Sequence, residues 1–425
     1  MSADKADSND DDSRGSIEVE RDRRTPSPIR ALRDRNFWPF FCGNLTSSCG
    51  TWFYNIAQTL LVYRITGSLF AVSIVNVAQF ASVIVLGPTA GVLADRFDRK
   101  TILLCTQLAS AGISAAVAVL AATHVINLGL IIIAALMLGI ASTFALPSML
   151  SVVPQLVDGA NLGPAVALNV VTLNVARAVG PVLGALVVGQ FGVATAFGLN
   201  ALSYIVLIVG LLAVTPRRHV GARSTVRPKL LATIRSLRER PQIAVLFVVG
   251  TGASMTIDPV STLSPGYATR VFGRQDTLVG WFVGAFGLGA VFAGVWVSRQ
   301  PVPSDRLLAK RMAVLVGAFV LLASTSVLWI AMIALVAGGF GYIGATAAAL
   351  TRLQQATPTS EHGRLMALWG IAFTGTRPIA GLIDGAVASW SNVRLATLLM
   401  VTPAGFATWK IFRSSVRPQP AVAPV

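Results

Sequence analysis

The stretch GVLADRFDRK, from Gly91 to Lys100, decides the fold class because it joins two long apolar runs through a short, strongly charged connection. Gly91 carries no side chain and lets a neighbouring helix approach closely. Asp95 can pair with an arginine or accept hydrogen bonds from a helix N-terminus. The bases Arg96, Arg99 and Lys100 favour the cytoplasmic face for this connection. The pattern predicts two membrane-spanning helices joined by one cytoplasmic loop.

The composition of the whole chain is that of a membrane protein. Of its 425 residues, 54% are hydrophobic and only 12% are charged, which does not fit a water-exposed surface. The net charge of +16 comes from bases in short connections rather than from one patch, so the pattern argues against a nucleic-acid partner. Neither a disulfide nor a metal site is expected, because the three cysteines lie in apolar runs without a metal-binding spacing.

A membrane-crossing helix needs roughly 20 mainly apolar residues. Twelve runs of this kind are bounded by charge, Pro or Gly. They predict an all-α membrane protein in which twelve transmembrane helices form two pseudo-symmetric six-helix bundles. The ninth and tenth runs meet at Leu328 and Ile330 without a polar break. The predicted segments are 37–62, 70–94, 101–123, 127–150, 165–189, 194–214, 242–263, 277–298, 310–328, 330–351, 364–388 and 392–412.

The distribution of bases predicts the orientation. Of the 34 Lys and Arg, two lie well inside apolar segments and four lie in odd-numbered connections, which leaves 28 for the tails and the even-numbered connections. Because positive residues concentrate on the cytoplasmic side, both termini are expected in the cytoplasm. The four exceptions are Arg64, Arg270, Arg274 and Arg394.

The predicted order along the chain is a disordered tail, a first bundle, a basic linker, a second bundle and a second tail, at 1–36, 37–214, 215–241, 242–412 and 413–425. The linker contains KLLATIRSLRER, whose apolar residues share one helical face and predict a short helix lying on the inner leaflet. Two interpretations of this helix stay open: a binding element for a partner or anionic lipid, and a plain linker that enforces topology.

The two halves of the sequence repeat. A shift of 200 residues aligns polar and small residues over the fifth and eleventh segments without a gap. Duplicated six-helix halves usually enclose a midplane site that opens alternately to the two sides. The aligned pairs include Gln155 with Gln355, Gly163 with Gly363, and Arg177 with Arg377.

The chain resembles the major facilitator superfamily, whose signature in the connection after the second helix is G-x-x-x-D-R/K-x-G-R/K-R/K. The one departure is Asp98, where the general signature has glycine. The DRFDR form, with LVYRITGS, ARAVGP and HGRLMALWGIAFTG elsewhere, resembles the branch of bacterial siderophore and drug exporters. The resemblance implies that the loop is a conformational latch, in which Asp95 and Arg96 grip across the halves when the protein opens outward. A purely topogenic role is the alternative.

The fifth segment carries Arg177, Gly180, Pro181 and Gly184, and resembles the antiporter signature of exporters in this superfamily. Pro181 removes a helical hydrogen bond, and the glycines allow tight packing. The pattern predicts a kink pressed against a neighbouring helix. Ala176 and Ala185 stand where the full signature has glycine, which weakens its specificity for antiport.

Four charged residues lie well inside the apolar segments, away from their first residues and last residues. Arg177 and Arg377 lie near mid-membrane, where an unpaired cation is implausible. They are interpreted either as substrate-binding or network groups, or as structural packing. Asp258 precedes Pro259, where the helix is expected to break, and is the first candidate for proton coupling. Asp384 is the second, expected at the outer mouth.

Four amides lie in the first two segments with a spacing of three, which places each pair on one helix face. They can line a cavity for an amphiphilic solute, or they can hold helices together through hydrogen bonds. Related exporters have an aspartate in the first helix where this chain reads Cys49, Gly50 and Thr51. The amides are Asn55, Gln58, Asn76 and Gln79.

These features predict a secondary active transporter of the cell (inner) membrane that exports a small drug-like or siderophore-like amphiphile by alternating access, as a proton antiporter. It is expected to act as a monomer, without a cofactor and with the proton gradient as energy source. No nucleophile motif or phosphate-binding loop indicates an enzyme. The alternatives are an importer or uniporter of the same fold, and a lipid-flipping factor or receptor built on it.

Overall fold

The computed structural model describes residues 28–158, 161–216, 237, 240–275, 277–297, 300, 304–357 and 362–416, and these residues form an all-α protein. The expected fold class is confirmed to that extent. The helices are α1 (Pro28–Arg33), α2 (Trp38–Thr66), α3 (Leu69–Arg96), α4 (Arg99–Ala122), α5 (Leu128–Leu156), α6 (Leu162–Ala213), α7 (Pro241–Thr262), α8 (Ser264–Gly266), a π-helix (Tyr267–Val271), α9 (Leu278–Val297), α10 (Asp305–Ser324), α11 (Leu328–Gln355), α12 (His362–Thr374), α13 (Arg377–Trp390) and α14 (Val393–Val416).

Side-chain caps explain why the connections are so short. Ser68 begins α3 by accepting a hydrogen bond from the amide of Ala71. Asp98 begins α4 in the same way, and its carboxylate accepts from both the amide and the hydroxyl of Thr101 at 2.9 Å. Such caps satisfy amides that a helix N-terminus leaves free. Asp98, the departure from the superfamily signature, therefore has a structural role of its own.

The count of twelve crossings stays a prediction. Among the described residues, nine helices are long and apolar enough to cross a membrane. That set excludes Trp38–Thr66, and it counts Val175–Ala213 as one helix. The helical backbone is nevertheless interrupted there at Gly192, which has φ 83° and ψ 169°. Glycine tolerates this positive φ because it has no Cβ. The break lies between the fifth and sixth predicted segments.

Two predicted features of the second half are wrong. The break between the ninth and tenth segments lies at residues 325–327 rather than at Trp329, because Thr325 and Ser326 supply the polar turn. Helix α7 does not break at Pro259 but continues to Thr262. A proline costs one backbone hydrogen bond, which a packed membrane helix can accommodate. The irregular backbone comes later, at α8 and the π-helix.

The predicted disordered tail, 1–36, is folded where it is described. Residues 28–33 form α1, and Ala31 is fully buried in an apolar cluster with Phe37 and Phe40. The apolar residues at the end of the tail thus extend the first bundle, a contribution that its charged composition concealed. Residues 1–27 and most of the linker, including the predicted interfacial helix, lie outside the described residues.

Helices α2–α6 (38–213, the N-terminal half) pack mainly on one another, as do α7–α14 (241–416, the C-terminal half). The halves meet along α6 against α9 and α3 against α13. These interfaces depend on glycine: an added Cβ at Gly287 would lie 2.5 Å from the carbonyl oxygen of Arg177, and one at Gly385 would overlap the side chain of Ser73. Small residues allow such backbone-to-backbone approach in membrane proteins.

Within the C-terminal half, α9 and α11 also touch through glycine, and this contact predicts the outcome of a substitution. A Cβ at Gly339 would overlap the carbonyl oxygen of Phe286. We expect Gly339→Ala to destabilise the protein by about 1–3 kcal/mol through overpacking. Gly317→Ala, in α10, is the matched control because its Cβ would meet no atom within 4 Å.

Thermal unfolding in detergent measures both variants. The lower midpoint should belong to Gly339→Ala alone, while Gly317→Ala is neutral or slightly stabilising because alanine favours a helix. Equal midpoints for the two variants would contradict the proposed packing of α9 on α11.

Candidate functional site

A central cavity lies between the two halves, about midway along the helices. It brings together seven of the eight residues predicted to bind substrate or carry protons. The enclosed space is about 200 Å³, below the roughly 300–1000 Å³ of pockets for drug-sized ligands. A larger solute therefore requires the halves to separate further. The seven residues are Asn55, Gln58, Asn76, Gln79, Arg177, Arg377 and Asp258.

The four amides do two things at once. Gln58 donates to Gln79 at 3.4 Å, and Gln79 donates to Asn55 at 3.5 Å, so helices α2 and α3 are joined across the cavity wall. Asn76 donates to Thr262 of the other half at 3.3 Å. The same side chains line the cavity. Cavity lining and interhelical bonding, weighed as alternatives in the sequence, thus coexist.

The arginines of the internal repeat face the cavity from opposite halves. The guanidinium of Arg377 lies 5.2 Å from the ring centroid of Phe80, and one of its nitrogens donates to Ser261 at 3.5 Å. Its Nε has no hydrogen-bond partner among the described residues. Phe80 stabilises the cation through its ring face. Arg377 therefore keeps donor capacity for an oxygen-bearing ligand.

The two membrane-embedded acids lie side by side. Asp258, 5% exposed, lines the cavity, and Asp384 is fully buried behind it. Their carboxyl groups interact electrostatically, but neither oxygen of Asp384 has a well-aligned hydrogen bond within the described structure. Arg377 is the neighbouring cation. Two close carboxyl groups resist double ionisation, so the charge of each depends on that of the other.

Asp384, expected at the outer mouth, is fully buried and directly precedes the 385–393 segment at one end of the cavity; its position relative to the membrane stays a prediction. Helix α13 restarts at Arg377 after a turn, and Asp384 follows two helical turns later on its buried face. Gly381 lies between them on that face, where an added Cβ would be 3.0 Å from a carboxyl oxygen of Asp258. The absence of a side chain at Gly381 is what lets Asp258 approach α13.

The signature of the fifth segment packs α6 against two neighbours. A Cβ at Gly180 would lie 2.7 Å from Cβ of Trp52, and one at Gly184 would lie 3.1 Å from Cα of Phe53. The carbonyl of Pro181 lies beside Gly280 of α9. Helix α6 continues through Pro181, and the predicted kink there stays a prediction.

Within the described residues, the proposed latch is exposed or bonded inside the N-terminal half. A Cβ at Gly91 would meet no atom within 4 Å, and Arg96 is exposed. Arg99 donates to the carbonyl of Ser151 at 3.2 Å, and Lys100 donates to that of Val214 at 2.7 Å, so both act inside the N-terminal half. The side chain of Asp95 lies outside the described structure.

The opposite end of the cavity is closed by contacts between the halves, and we call it the sealed end (residues 63–70, 262–271 and 385–393). The hydroxyls of Tyr63 and Thr269 are 2.9 Å apart. Arg270 donates to the carbonyls of Gly67 and Ala388 at 3.3 and 3.2 Å, which ties the two halves together. The cavity is thus closed at this end by contacts between the halves.

Sequence reasoning missed several of these residues. Tyr63 and Thr269 lie outside the predicted apolar segments and carry no signal there, and Arg270 was noted only as a base in an odd-numbered connection. Arg311 was counted among the loop bases, yet it is 3% exposed, donates to the carbonyl of Gly344 at 2.9 Å and lies 5.0 Å from the ring centroid of Trp296. Tyr342, which lines the cavity, carries no signal within its own apolar segment.

The sealed end predicts a conformational effect of Arg270. Arg270→Ala removes the hydrogen bond to Gly67 that joins the halves, and one to Ala388 within the C-terminal half. Because this side chain is exposed, we expect a modest shift, about fivefold, toward opening. The reporter is the labelling rate of a cysteine at Ala268, which is fully buried at this end, in a background without Cys42, Cys49 and Cys105. Unchanged labelling would contradict the assignment.

Arg274→Ala is the matched control for that measurement. Arg274 follows the π-helix closely, and its side chain is exposed. Labelling at position 268 should therefore be the same in this variant as in the parent protein.

Comparison with known proteins identifies the family. The profile of the family described as "Transmembrane secretion effector" matches residues 26–419. The MFS-type transporter YfiS of Bacillus subtilis, itself uncharacterized, is 26% identical over 83% of this chain and 87% of its own. The enterobactin exporter EntS of Salmonella typhi is 29% identical over 72% and 75%, and the staphyloferrin A transporter of Staphylococcus aureus is 24% identical over 60% and 64%.

Solved structures share the fold at low identity. A bacterial homologue of the human lysosomal transporter Spinster, in an inward-facing and occupied conformation, superposes with a TM-score of 0.73 at 10% identity, over 91% of this chain and 98% of that one. A bacterial homologue of ferroportin, in an inward-facing state, gives 0.72 at 13% identity, over 90% and 99%. The protein is a multi-pass membrane transporter rather than an enzyme, and it belongs to the transmembrane secretion effector family of the major facilitator superfamily.

Proposed function

We propose that this protein exports a small amphiphilic molecule, drug-like or siderophore-like, from the cytoplasm by proton antiport. The observation that carries the proposal is the acid pair at the cavity wall: Asp258 reaches the cavity and Asp384 is buried behind it, next to Arg377. Unpaired ionisable groups are costly within a membrane and mark ion and proton pathways. A cavity between two halves supplies the alternating-access site.

The cavity lining suits an amphiphile with oxygen-bearing polar groups. Phe80, Phe286 and Tyr342 provide aromatic surface, while Arg177 and Arg377 provide donors for carboxylate, phenolate or carbonyl oxygens. Relatives named for enterobactin export and staphyloferrin A transport support a siderophore-like substrate. The family description, which refers to secretion, supports export.

Antiport requires that proton and substrate exclude one another. A carboxylate at Asp258 accepts a hydrogen bond from a hydroxyl or amine of the substrate, whereas protonation removes part of that acceptor capacity. Substrate therefore binds the unprotonated pair, and a proton taken up from the other side promotes its release. One chain holds the whole cavity, so a monomer suffices for this cycle.

The distribution of Lys and Arg favours an orientation in which the GVLADRFDRK loop and both termini lie in the cytoplasm. The protein then spans the inner membrane. The bases Arg64, Arg270, Arg274 and Arg394 then lie on the outer side, together with the sealed end. This assignment makes the observed conformation inward-facing. The latch of Asp95 and Arg96 would close in the opposite conformation, when the loop side of the halves comes together.

The acid pair predicts the effect of neutralisation. Asp258→Asn cannot exchange a proton and resembles the protonated acid, so we expect it to abolish substrate transport driven by a pH gradient and to weaken substrate binding. Asp384→Asn should impair gradient-driven transport less severely, because it leaves the cavity-facing acid in place. Both are measured in reconstituted vesicles with an imposed pH gradient.

Asp34→Asn provides the control, since Asp34 lies before the first long helix and far along the chain from the acid pair. It should transport like the wild type. Full gradient-driven transport by a folded Asp258→Asn protein would sink the proton assignment, and equal loss in Asp34→Asn would indicate a general folding defect.

The two arginines predict a loss of affinity. Arg177→Ala and Arg377→Ala should each weaken binding of an acidic amphiphile by about tenfold to a hundredfold, the effect of losing a hydrogen bond to a charged group. Binding is measured by tryptophan fluorescence, with Arg274→Ala as the control at the protein surface. Wild-type affinity in both cavity variants would exclude them from the binding site.

A further inference from the structure

A chain of hydrogen bonds connects the acid pair to the opposite half of the protein. The hydroxyl of Thr262 donates to a carboxyl oxygen of Asp258 at 3.2 Å. The same hydroxyl accepts from the side-chain amide of Asn76 at 3.3 Å. Asp258 and Thr262 belong to α7 of the C-terminal half, whereas Asn76 belongs to α3 of the N-terminal half.

The position of Thr262 suits a link between Asp258 and Asn76 rather than contact with a substrate. It is fully buried and is not among the residues that line the cavity. It lies one helical turn after Asp258, where α7 ends and the irregular backbone of the sealed end begins. The segment that follows carries Thr269 and Arg270, which bridge the halves at that end. A change in the protonation of Asp258 therefore acts only a short distance along the chain from the contacts of the sealed end.

Four charged or titratable side chains from neighbouring helices share the surroundings of Asp258. Arg377 and Asp384, both on α13, interact with its charge directly. Tyr342 of α11 lies at the cavity wall. The N-terminal half contributes Arg177 across the cavity and, in contact with Thr262, the neutral amide Asn76. Asn76 and Thr262 thus form the hydrogen-bonded link from Asp258 to the other half.

The strength of this link depends on the charge of Asp258. A hydrogen bond to a carboxylate is roughly twice as strong as one to a neutral carboxyl group. Because Thr262 donates to Asp258 while accepting from Asn76, a stronger bond on one side polarises the hydroxyl and strengthens the other. Unprotonated Asp258 therefore holds Asn76, and with it α3, more firmly than protonated Asp258 does.

We infer that Thr262 is a positioning residue that keeps the empty, unprotonated carrier closed at the sealed end. The inference rests on the proposed proton antiport and deepens it. A coupled antiporter must not reorient when it carries neither proton nor substrate, because that step would dissipate the gradient. Protonation weakens the link directly, and a substrate that bonds to Asp258 or Asn76 competes with it, so either load releases the sealed end.

The test compares Thr262→Val, which keeps the shape of the side chain but removes the hydroxyl, with Thr262→Ser, which restores the hydroxyl. Thr256→Val is the matched control: Thr256 is equally buried in α7, but its hydroxyl donates to the carbonyls of Gly252 and Met400. Two quantities are measured: proton leak into substrate-free vesicles under an imposed pH gradient, and labelling of a cysteine at Ala268 at alkaline and mildly acidic pH. Labelling is normalised to that of the denatured protein at each pH.

In the wild type, the leak should be small, and labelling should be faster at acidic than at alkaline pH. Thr262→Val should leak about tenfold faster, the change expected when a hydrogen bond to a charged group is lost. Its labelling should be fast at both pH values, with the pH dependence lost. Thr262→Ser and Thr256→Val should resemble the wild type, which separates loss of the link from loss of packing.

Two contrary results are distinguishable. If the wild type exchanges protons for substrate and Thr262→Val remains as tight and as pH-dependent as the wild type, the role of Thr262 is wrong and the antiport proposal stands. If the wild type shows neither proton exchange nor pH-dependent labelling, both proposals fall.

Discussion

The cost of leaving a charge or a hydrogen-bonding group unpartnered in a bilayer governs this structure. Arg177 and Arg377 face a cavity rather than lipid, and Asp258 lies between Arg377, Thr262 and Asp384. Three of the four amides of α2 and α3 bond to one another, and all four line the cavity between the halves. The apolar faces are left for the membrane.

Close helix packing is the second condition, because polar groups can meet only if backbones approach. Glycines bring α6 to α9, α3 to α13 and α9 to α11, and Gly381 lets Asp258 reach α13. The same contacts divide the molecule functionally. They join the halves beside the cavity and toward the sealed end, whereas, among the described residues, Gly91 has no close neighbour and Arg96 is exposed. Rocking of the halves would open the sealed end and bring the loop side together.

The sequence was sufficient for the fold class, for most helix positions and for seven cavity residues, because a polar side chain inside an apolar segment stands out against its surroundings. It was insufficient wherever the outcome depends on which helices become neighbours. The burial of Asp384 beside Asp258 could not be seen, because Asp258 lies on another helix. Arg311 looked like a loop base because its burial comes from Trp296 and Gly344. The roles of Tyr63 and Arg270 could not be seen, since their partners lie in the opposite half.

The central claim is that the cavity exchanges protons for an amphiphilic substrate. The most direct test is proton movement on substrate addition to reconstituted vesicles under an imposed pH gradient, across amphiphilic drugs and siderophore-like chelates. Antiport predicts that protons move opposite to the substrate, and that Asp258→Asn removes this movement. Substrate transport without proton movement, or protons moving in the same direction as the substrate, would contradict it.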